Sequence, residues 1–437
     1  MSKGGRMQWD ADQLAGQFRT DPELAIAIRY WTARVAIEVG TDAYLLTICE
    51  GQVRSFESGR AERPEVRLAG SEAQWREQLQ PVPRPYWQDP LMGAMFAEGA
   101  ADPANRFRVE GDNFAHVFPF YPAIQRIVEI LREHVNGGPA GTPTLPPVQR
   151  AFDRAVGRYV YLAVQGVQYR VYFEEAGEGV PVLCQHTAGS DSRQYRHLLE
   201  DEELGRRYRF IAYDLPYHGR SNPPTGIEWW KQDYKLRLDF LLEFVVAFSR
   251  ALGLDRPIFI GCSVGGFLAP DLAYHRPADF RGVVGMNSAV HFGHVEISDM
   301  TRSYSHPKLS GQWKAANMRG LMAPGTPEAL RREIAWFYAQ GAPAVFEGDL
   351  QYYLRDHDLR GKLQDIDTRK CPVYILVGEY DRLRVAPMGS KAVADGIPGA
   401  HYAEVSQGGH FLMSENPEEF RRMIGPILDA IAAHSAA

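Results

Sequence analysis

The stretch Pro257-Ile258-Phe259-Ile260-Gly261-Cys262-Ser263-Val264-Gly265-Gly266 constrains the chain more than any other, because an apolar run there stops at Gly-x-Ser-x-Gly and passes straight into a helical pattern, Phe267-Leu268-Ala269. A strand that becomes a helix within so few residues forces a strained backbone on the residue at the corner. Glycines two positions to either side leave room for that corner and for close packing of helix on strand, which presents the serine hydroxyl. The following helix directs its first N–H groups at any oxygen that turns negative above the corner. The stretch therefore predicts a nucleophile, Ser263, and part of an oxyanion hole.

At 437 residues with 45% apolar content, the chain is too long for one ordinary core and rich enough for two. Its net charge is -6, without a basic run or basic-aromatic interleaving, which excludes nucleic acid as the expected partner. Four cysteines, Cys49, Cys184, Cys262 and Cys371, stand in apolar contexts without Cys-x-x-Cys spacing, so neither a disulfide framework nor a zinc site is expected. No His-x-x-x-His pair stands beside a carboxylate and no phosphate-cradling glycine loop occurs; no metal or organic cofactor is implied. Met1-Ser2-Lys3-Gly4-Gly5-Arg6 has no apolar core behind it, and no run approaches a transmembrane segment. A soluble cytoplasmic protein is the expectation; a homo-oligomer is compatible with it.

From Gln8 to Val39 the apolar residues Leu14, Phe18, Leu24, Ala25, Ile28, Trp31 and Val35 follow a helical spacing. The period then changes, and residues 43–49, 52–56 and 65–68 read as three short strands between glycine turns. Ser71 opens a capped helix, Phe107-Arg108-Val109-Glu110-Gly111 reads as a strand, and Tyr121 to Val135 is amphipathic, with Ile124, Ile127, Val128, Ile130 and Leu131 on one face. This order of helices, a small antiparallel sheet, the Ser-x-x-x-Trp helix at Trp75, the strand ending at Gly111 and a closing helix resembles the sterol-carrier-protein-like domain, over residues 1–135. The resemblance implies an α+β fold with an apolar tunnel and a lipid ligand. A packed core used for dimerisation or for shielding the rest of the chain reads alike. A Gly/Pro-dense linker follows at 136–150, with Gly137-Gly138-Pro139 and Pro146-Pro147.

Beyond it, strands alternate with helices. Residues 158–162 and 169–173 flank Gly166 as a hairpin. Buried-type runs at 180–184, 210–213, 283–286, 373–377 and 403–405 predict a mostly parallel sheet with an antiparallel start, with helices around 192–199 and 235–254. Asp381, in Gly378-Glu379-Tyr380-Asp381, and His410, in Gly408-Gly409-His410-Phe411, each stand just past the end of a strand, where open α/β sheets place their crevice. Glu379 is a nearby rival for the acid. The order Ser263, Asp381, His410 and both placements resemble the α/β-hydrolase superfamily, in its serine-esterase-like form, over about 150–437.

The resemblance implies an α/β-hydrolase domain at 151–437 with Ser263 as nucleophile, His410 as general base and Asp381 as the acid orienting it. It implies an oxyanion hole from Val264 and from the loop Gln185-His186-Thr187-Ala188-Gly189, where Thr187 replaces the family's usual glycine and leaves the donor open between Ala188 and Thr187. Asp214-Leu215-Pro216-Tyr217-His218-Gly219-Arg220-Ser221 matches a largely structural family signature, so His218 reads as a loop-fixing residue and His186 as a brace. A helical lid is expected at about 288–370, carrying Phe292, Tyr304, Trp313, Trp336, Phe337, Tyr338, Phe346, Tyr352 and Tyr353, most of them as its own core. The expected activity is hydrolysis of a small apolar ester, a lactone or polyester included, through an acyl-enzyme. Carbon-carbon bond hydrolysis on the same three residues and a lipid carrier with a scaffold hydrolase domain are the alternatives.

Overall fold

The computed structural model of the protein describes residues 7–97, 102, 105–138, 152–292 and 299–434. The opening Met1 to Arg6 and, beyond Gly138, the Gly/Pro segment read as a linker lie outside the described residues, as do 293–298 of the insertion. The chain forms two compact units, one of Met1–Thr144 with His306–Gly325 and one of Leu145–Ser305 with Thr326–Ala437.

In the first unit, strands β1 (Ala33–Val39), β2 (Asp42–Cys49), β3 (Gln52–Ser58), β4 (Val66–Gly70) and β5 (Arg108–Gly111) lie in the order β3-β2-β1-β4-β5. The sheet is mixed where an antiparallel one was expected, because β1 and β4 run parallel with Val35 opposite Val66. The single helical run expected up to Val39 is two helices, Ala11–Thr20 and Pro22–Ala27, followed by β1. Asp21 ends the first helix and caps the second, accepting from the Leu24 N–H at 2.7 Å. From Ala33 the alternating Val35, Ile37 and Val39 bury one side of a strand, and pairing with β2 overrides the helical spacing. Trp75 packs edge-on against Trp9 at 5.8 Å and Phe107 at 5.2 Å, and its Nε1 donates to the Glu38 carbonyl at 2.7 Å. Gly111 is required sterically: a Cβ there would lie 2.5 Å from the Glu65 carbonyl oxygen.

The insertion does not stay in one piece. Its helix Gly311–Arg319 belongs to the first unit, where Trp313 stacks on Phe118 at 4.3 Å. Gln125 Nε2 donates both to buried Asp89 at 2.7 Å and to the Ala316 carbonyl at 2.9 Å, and Arg319 pairs with Glu129 at 2.6 Å.

The second unit is built on an eight-stranded sheet, β6 (Val156–Val164), β7 (Val167–Ala176), β8 (Val180–Gln185), β9 (Tyr208–Tyr213), β10 (Ile258–Cys262), β11 (Gly282–Met286), β12 (Val373–Gly378) and β13 (His401–Val405). The order is β13-β12-β11-β10-β8-β9-β7-β6, with the β6–β7 and β7–β9 pairs antiparallel and the remaining pairs parallel. One sheet face, including Cys184, Phe210, Ile260, Val284 and Leu376, packs against the stripe Phe420, Ile424, Leu428 and Ile431 of the helix Pro417–Ala433. The chain leaves β8 toward β9 on one side and β10 toward β11 on the other. Their adjacent C-terminal ends therefore open a crevice at the point where the winding reverses. Among the described residues, no helix is long and apolar enough to cross a membrane.

Candidate active site

Ser263 stands at that crevice, between β10 and the helix Val264–His275, with φ +54° and ψ -111°. The conformation is one an L-residue adopts only when its surroundings enforce it, at a cost of about 1–3 kcal/mol. The enforcement comes from close approach. A Cβ on Gly261 would lie 2.3 Å from the Gly265 carbonyl carbon, and one on Gly265 would lie 2.7 Å from Gln185 Cγ. The Ser263 N–H donates to the Met286 carbonyl at 3.0 Å, which ties the corner to β11.

Past β12 and β13, the structure brings Asp381 and His410 together: Asp381 Oδ2 is in hydrogen-bond contact with His410 Nδ1. The other carboxylate oxygen accepts the Leu383 N–H at 2.7 Å, so the acid is fixed from both ends. Glu379 is not the partner, because its Oε2 accepts the Gln407 N–H at 2.9 Å. The His410 carbonyl accepts from Cys262 Sγ at 3.0 Å and from Asn287 Nδ2 at 2.8 Å, which seats the histidine loop beside the residue preceding Ser263. Among the described residues, neither Ser263 Oγ nor His410 Nε2 has a hydrogen-bond partner, leaving the distal ring nitrogen open for proton exchange.

Two buried residues that the sequence reading did not single out hold this arrangement. Asn287 accepts the Gly378 N–H at 3.0 Å while donating to His410, joining the ends of β11 and β12 to the histidine loop. Glu415 is 1% exposed and accepts the N–H groups of Gly409 at 3.1 Å and Phe411 at 2.7 Å, one on each side of His410. Their signal was position: a polar residue directly after a buried strand, and a carboxylate two residues past the apolar Phe411-Leu412-Met413 run.

In the loop after β8 the two candidate amides are engaged differently. The Thr187 N–H donates to Gln194 Oε1 at 3.0 Å, and the Thr187 hydroxyl bonds Tyr338. Among the described residues, the Ala188 N–H has no hydrogen-bond partner. The other end of the same peptide, the Thr187 carbonyl, lies 2.8 Å from His186 Nδ1. His186 Nε2 accepts the Leu215 N–H at 3.1 Å, so Nδ1 carries the proton and the ring is neutral. Burial, followed by the neighbouring His218 charge, pushes its pKa down to about 4. Between pH 6.5, the ordinary value, and about 4, the unfolded chain binds a proton that the folded one refuses, so this group makes stability fall as pH falls through that window. In H186Q that slope is expected to vanish: the Tm deficit of the variant is largest at neutral pH and shrinks toward pH 4. Parallel Tm profiles for parent and variant would rule out the neutral ring.

Several insertion aromatics within the second unit face these loops. Tyr338 packs on Phe411 at 5.6 Å, Phe346 lies against Gly189, and Tyr353 and Phe292 pack with Phe267 of the helix after Ser263. Trp336 is 57% exposed and Trp313 sits in the first unit, so neither joins them. Behind Phe267, His357 lies between Asp271 Oδ2 and the Ala289 carbonyl, each 2.7 Å away, pinning the insertion's end to that helix. Among the described residues, no group of three or more His, Cys, Asp or Glu could hold a metal ion.

A sequence profile of the alpha/beta hydrolase family matches residues 182–423, more than half of the chain. Over 332 residues the chain is 23% identical to the protein named bifunctional epoxide hydrolase 2 of Sus scrofa, covering 65% of this chain and 57% of that one. The chain thus spans little more than half the length of the first relatives it matches. It is 26% identical over 274 residues to the 2-hydroxymuconate semialdehyde hydrolase of Pseudomonas putida, covering 61% of this chain and 94% of that protein. Among solved structures, a thermophilic esterase from Thermogutta terrifontis aligns with a TM-score of 0.53 at 18% identity, over 64% of this chain and 100% of that one, a likeness of fold. The reversal of winding between β8 and β10 and the extent of the profile match agree: the chain has the α/β-hydrolase fold, preceded by an additional α+β region, and it belongs to the alpha/beta hydrolase family.

Proposed function

We propose that the protein is a serine hydrolase that cleaves a carboxylic ester of an apolar small molecule through an acyl-enzyme. The observation that carries this reading is the contact of His410 Nδ1 with Asp381 Oδ2 beside the strained Ser263 corner. In the proposed reaction, His410 Nε2 takes the Ser263 hydroxyl proton as Oγ attacks the carbonyl carbon, and Asp381 stabilises the imidazolium that forms. The negative oxygen is held by the N–H groups of Val264 and Ala188. His410 then returns the proton to the departing alcohol, and a water molecule, deprotonated by the same ring, releases the acid. The insertion's Tyr338, Phe346 and Tyr353 serve as a lid over the apolar acyl group and exclude water. No step calls for a cofactor.

Serine chemistry also bears on the epoxide hydrolase likeness. A serine that opened an epoxide would be left as an ether, which water does not release, so that activity is not carried over to Ser263. Carbon-carbon bond hydrolysis on the same three residues is the second reading, favoured by the likeness along 94% of the Pseudomonas putida 2-hydroxymuconate semialdehyde hydrolase.

Intact-mass analysis after a fluorophosphonate probe, with short and long p-nitrophenyl esters as substrates, tests the reading. One adduct per chain, lost in S263A, together with ester turnover is the expected result. Labelling without ester turnover would favour the second reading, and absence of labelling would sink both.

A further inference from the structure

Asp349 is fully buried on the insertion helix Pro343–Gln351, yet no step of the proposed reaction uses it. Its Oδ2 accepts the Gly189 N–H at 2.6 Å and lies 2.8 Å from His218 Nε2, while Oδ1 accepts the Tyr234 hydroxyl at 2.9 Å. The second nitrogen of His218, Nδ1, faces the Pro216 carbonyl at 3.0 Å, so both ring nitrogens point at acceptors, as only an imidazolium satisfies. Burial, the largest single effect, would lower the His218 pKa; the Asp349 charge and hydrogen bond together with the Pro216 carbonyl and the Asp214 charge outweigh it, and the net shift is upward. A buried ion pair is costly unless further hydrogen bonds complete it, and here a backbone amide and a tyrosine hydroxyl do so.

The amide that Asp349 holds belongs to the residue after Ala188. The Ala188 N–H lies in a peptide unit with an anchored neighbour on each side: the Thr187 N–H on Gln194 Oε1 and the Gly189 N–H on Asp349 Oδ2. Phe346, three residues before Asp349 on the same helix, closes the other side of Gly189, where a Cβ would lie 2.4 Å from Phe346 Cδ2. Gly189 has φ +64°, a conformation that suits glycine. The insertion helix therefore grips the loop at the residue next to the oxyanion donor.

We propose that the buried His218–Asp349 pair is a positioning device for the oxyanion hole, through which the seated insertion helix aims the Ala188 N–H at the developing negative oxygen. The proposal rests on the serine hydrolase reading. It makes the insertion a part of the catalytic geometry as well as a cover, because a helix displaced from the loop would take the anchor of Gly189 with it.

The test uses the full-length parent, D349N and H218Q, with p-nitrophenyl acetate as substrate and phenylboronic acid as the probe whose adduct on Ser263 places an oxygen in the hole. In D349N, kcat is expected to fall about 10- to 100-fold with KM within about twofold of the parent, and the phenylboronic acid Ki to rise in proportion to the loss of kcat/KM. H218Q, which leaves the carboxylate in place without its partner, is expected to show the same pattern at several-fold, and it decides the matter should D349N not fold. A purely structural role would lower Tm and spare both readings. A folded variant with the parent's kcat and Ki, or with a loss confined to KM, overturns the proposal while an active, fluorophosphonate-labelled parent keeps the hydrolase reading. A parent inert toward ester and fluorophosphonate overturns both.

Discussion

Replacing Ser263 with alanine is expected to lower kcat on an activated ester by about 10⁵- to 10⁶-fold and to leave the fold intact. In the proposed reaction the hydroxyl oxygen forms the covalent bond, and the backbone donors that remain would polarise a carbonyl without attacking it. Alanine at this corner meets the same strain as serine at φ +54°, so the Tm of S263A should stay with that of the parent. Glycine is different. S263G is expected to be as inactive as S263A but more stable by about 1 kcal/mol, because loss of Cβ relieves the positive φ by more than the added freedom of the unfolded chain costs. Steady-state turnover and thermal melts of the three proteins measure both effects. More than about 1% residual activity in S263A would point to another nucleophile, and S263G melting below S263A would remove strain from the account of the corner.

That corner was legible in the sequence because it is local: an apolar strand, a glycine-flanked serine and a helix succeed one another within a dozen residues. Asp381 and His410 were legible for a related reason, each following a buried strand at the end where a parallel sheet exposes its loops. What was not legible depended on partners distant along the chain. Glu379 and Asp381 are two residues apart, and what separates them is that Glu379 holds the Gln407 amide while Asp381 meets His410. Thr187 and Ala188 were equivalent until Gln194, seven residues on, was seen to engage the Thr187 N–H. The aromatic content of the insertion read as one body, yet Trp313 stacks on Phe118 of the first unit, because burial and aromaticity do not say which core a ring fills. The mistaken helix through Val35 has the same origin. Trp31 and Val35 satisfy a helical period, but the pairing of Val35 with Leu46 and Val66 on either side satisfies the backbone as well as the side chain.

The largest effect on stability is expected at Gly266. A Cβ added there would lie 1.9 Å from the Met286 carbonyl oxygen and 2.9 Å from its carbon, contacts that no rotamer change relieves because both atoms are backbone. Met286 cannot step aside at low cost: it is paired in register with Cys262, and the carbonyl in question accepts the Ser263 N–H at 3.0 Å. Either the helix after Ser263 lifts away from the sheet or the end of β11 shifts. Each movement opens a fully buried layer, and G266A is accordingly expected to lose about 4 kcal/mol or more, a large share of an ordinary domain's stability. G16A is the matched control. Gly16 lies in the helix Ala11–Thr20 with nothing within 4 Å of an added Cβ, and alanine there should gain about 0.5–1 kcal/mol. Urea unfolding midpoints and soluble yield read both variants. G266A unfolding at the parent's midpoint would mean that helix and strand do not approach as closely as the corner requires, and the forced φ of Ser263 would lose its cause. A destabilised G266A that still folds in the cold should have lost kcat as well, because the contact that excludes a side chain at Gly266 is the one that holds Ser263 against β11.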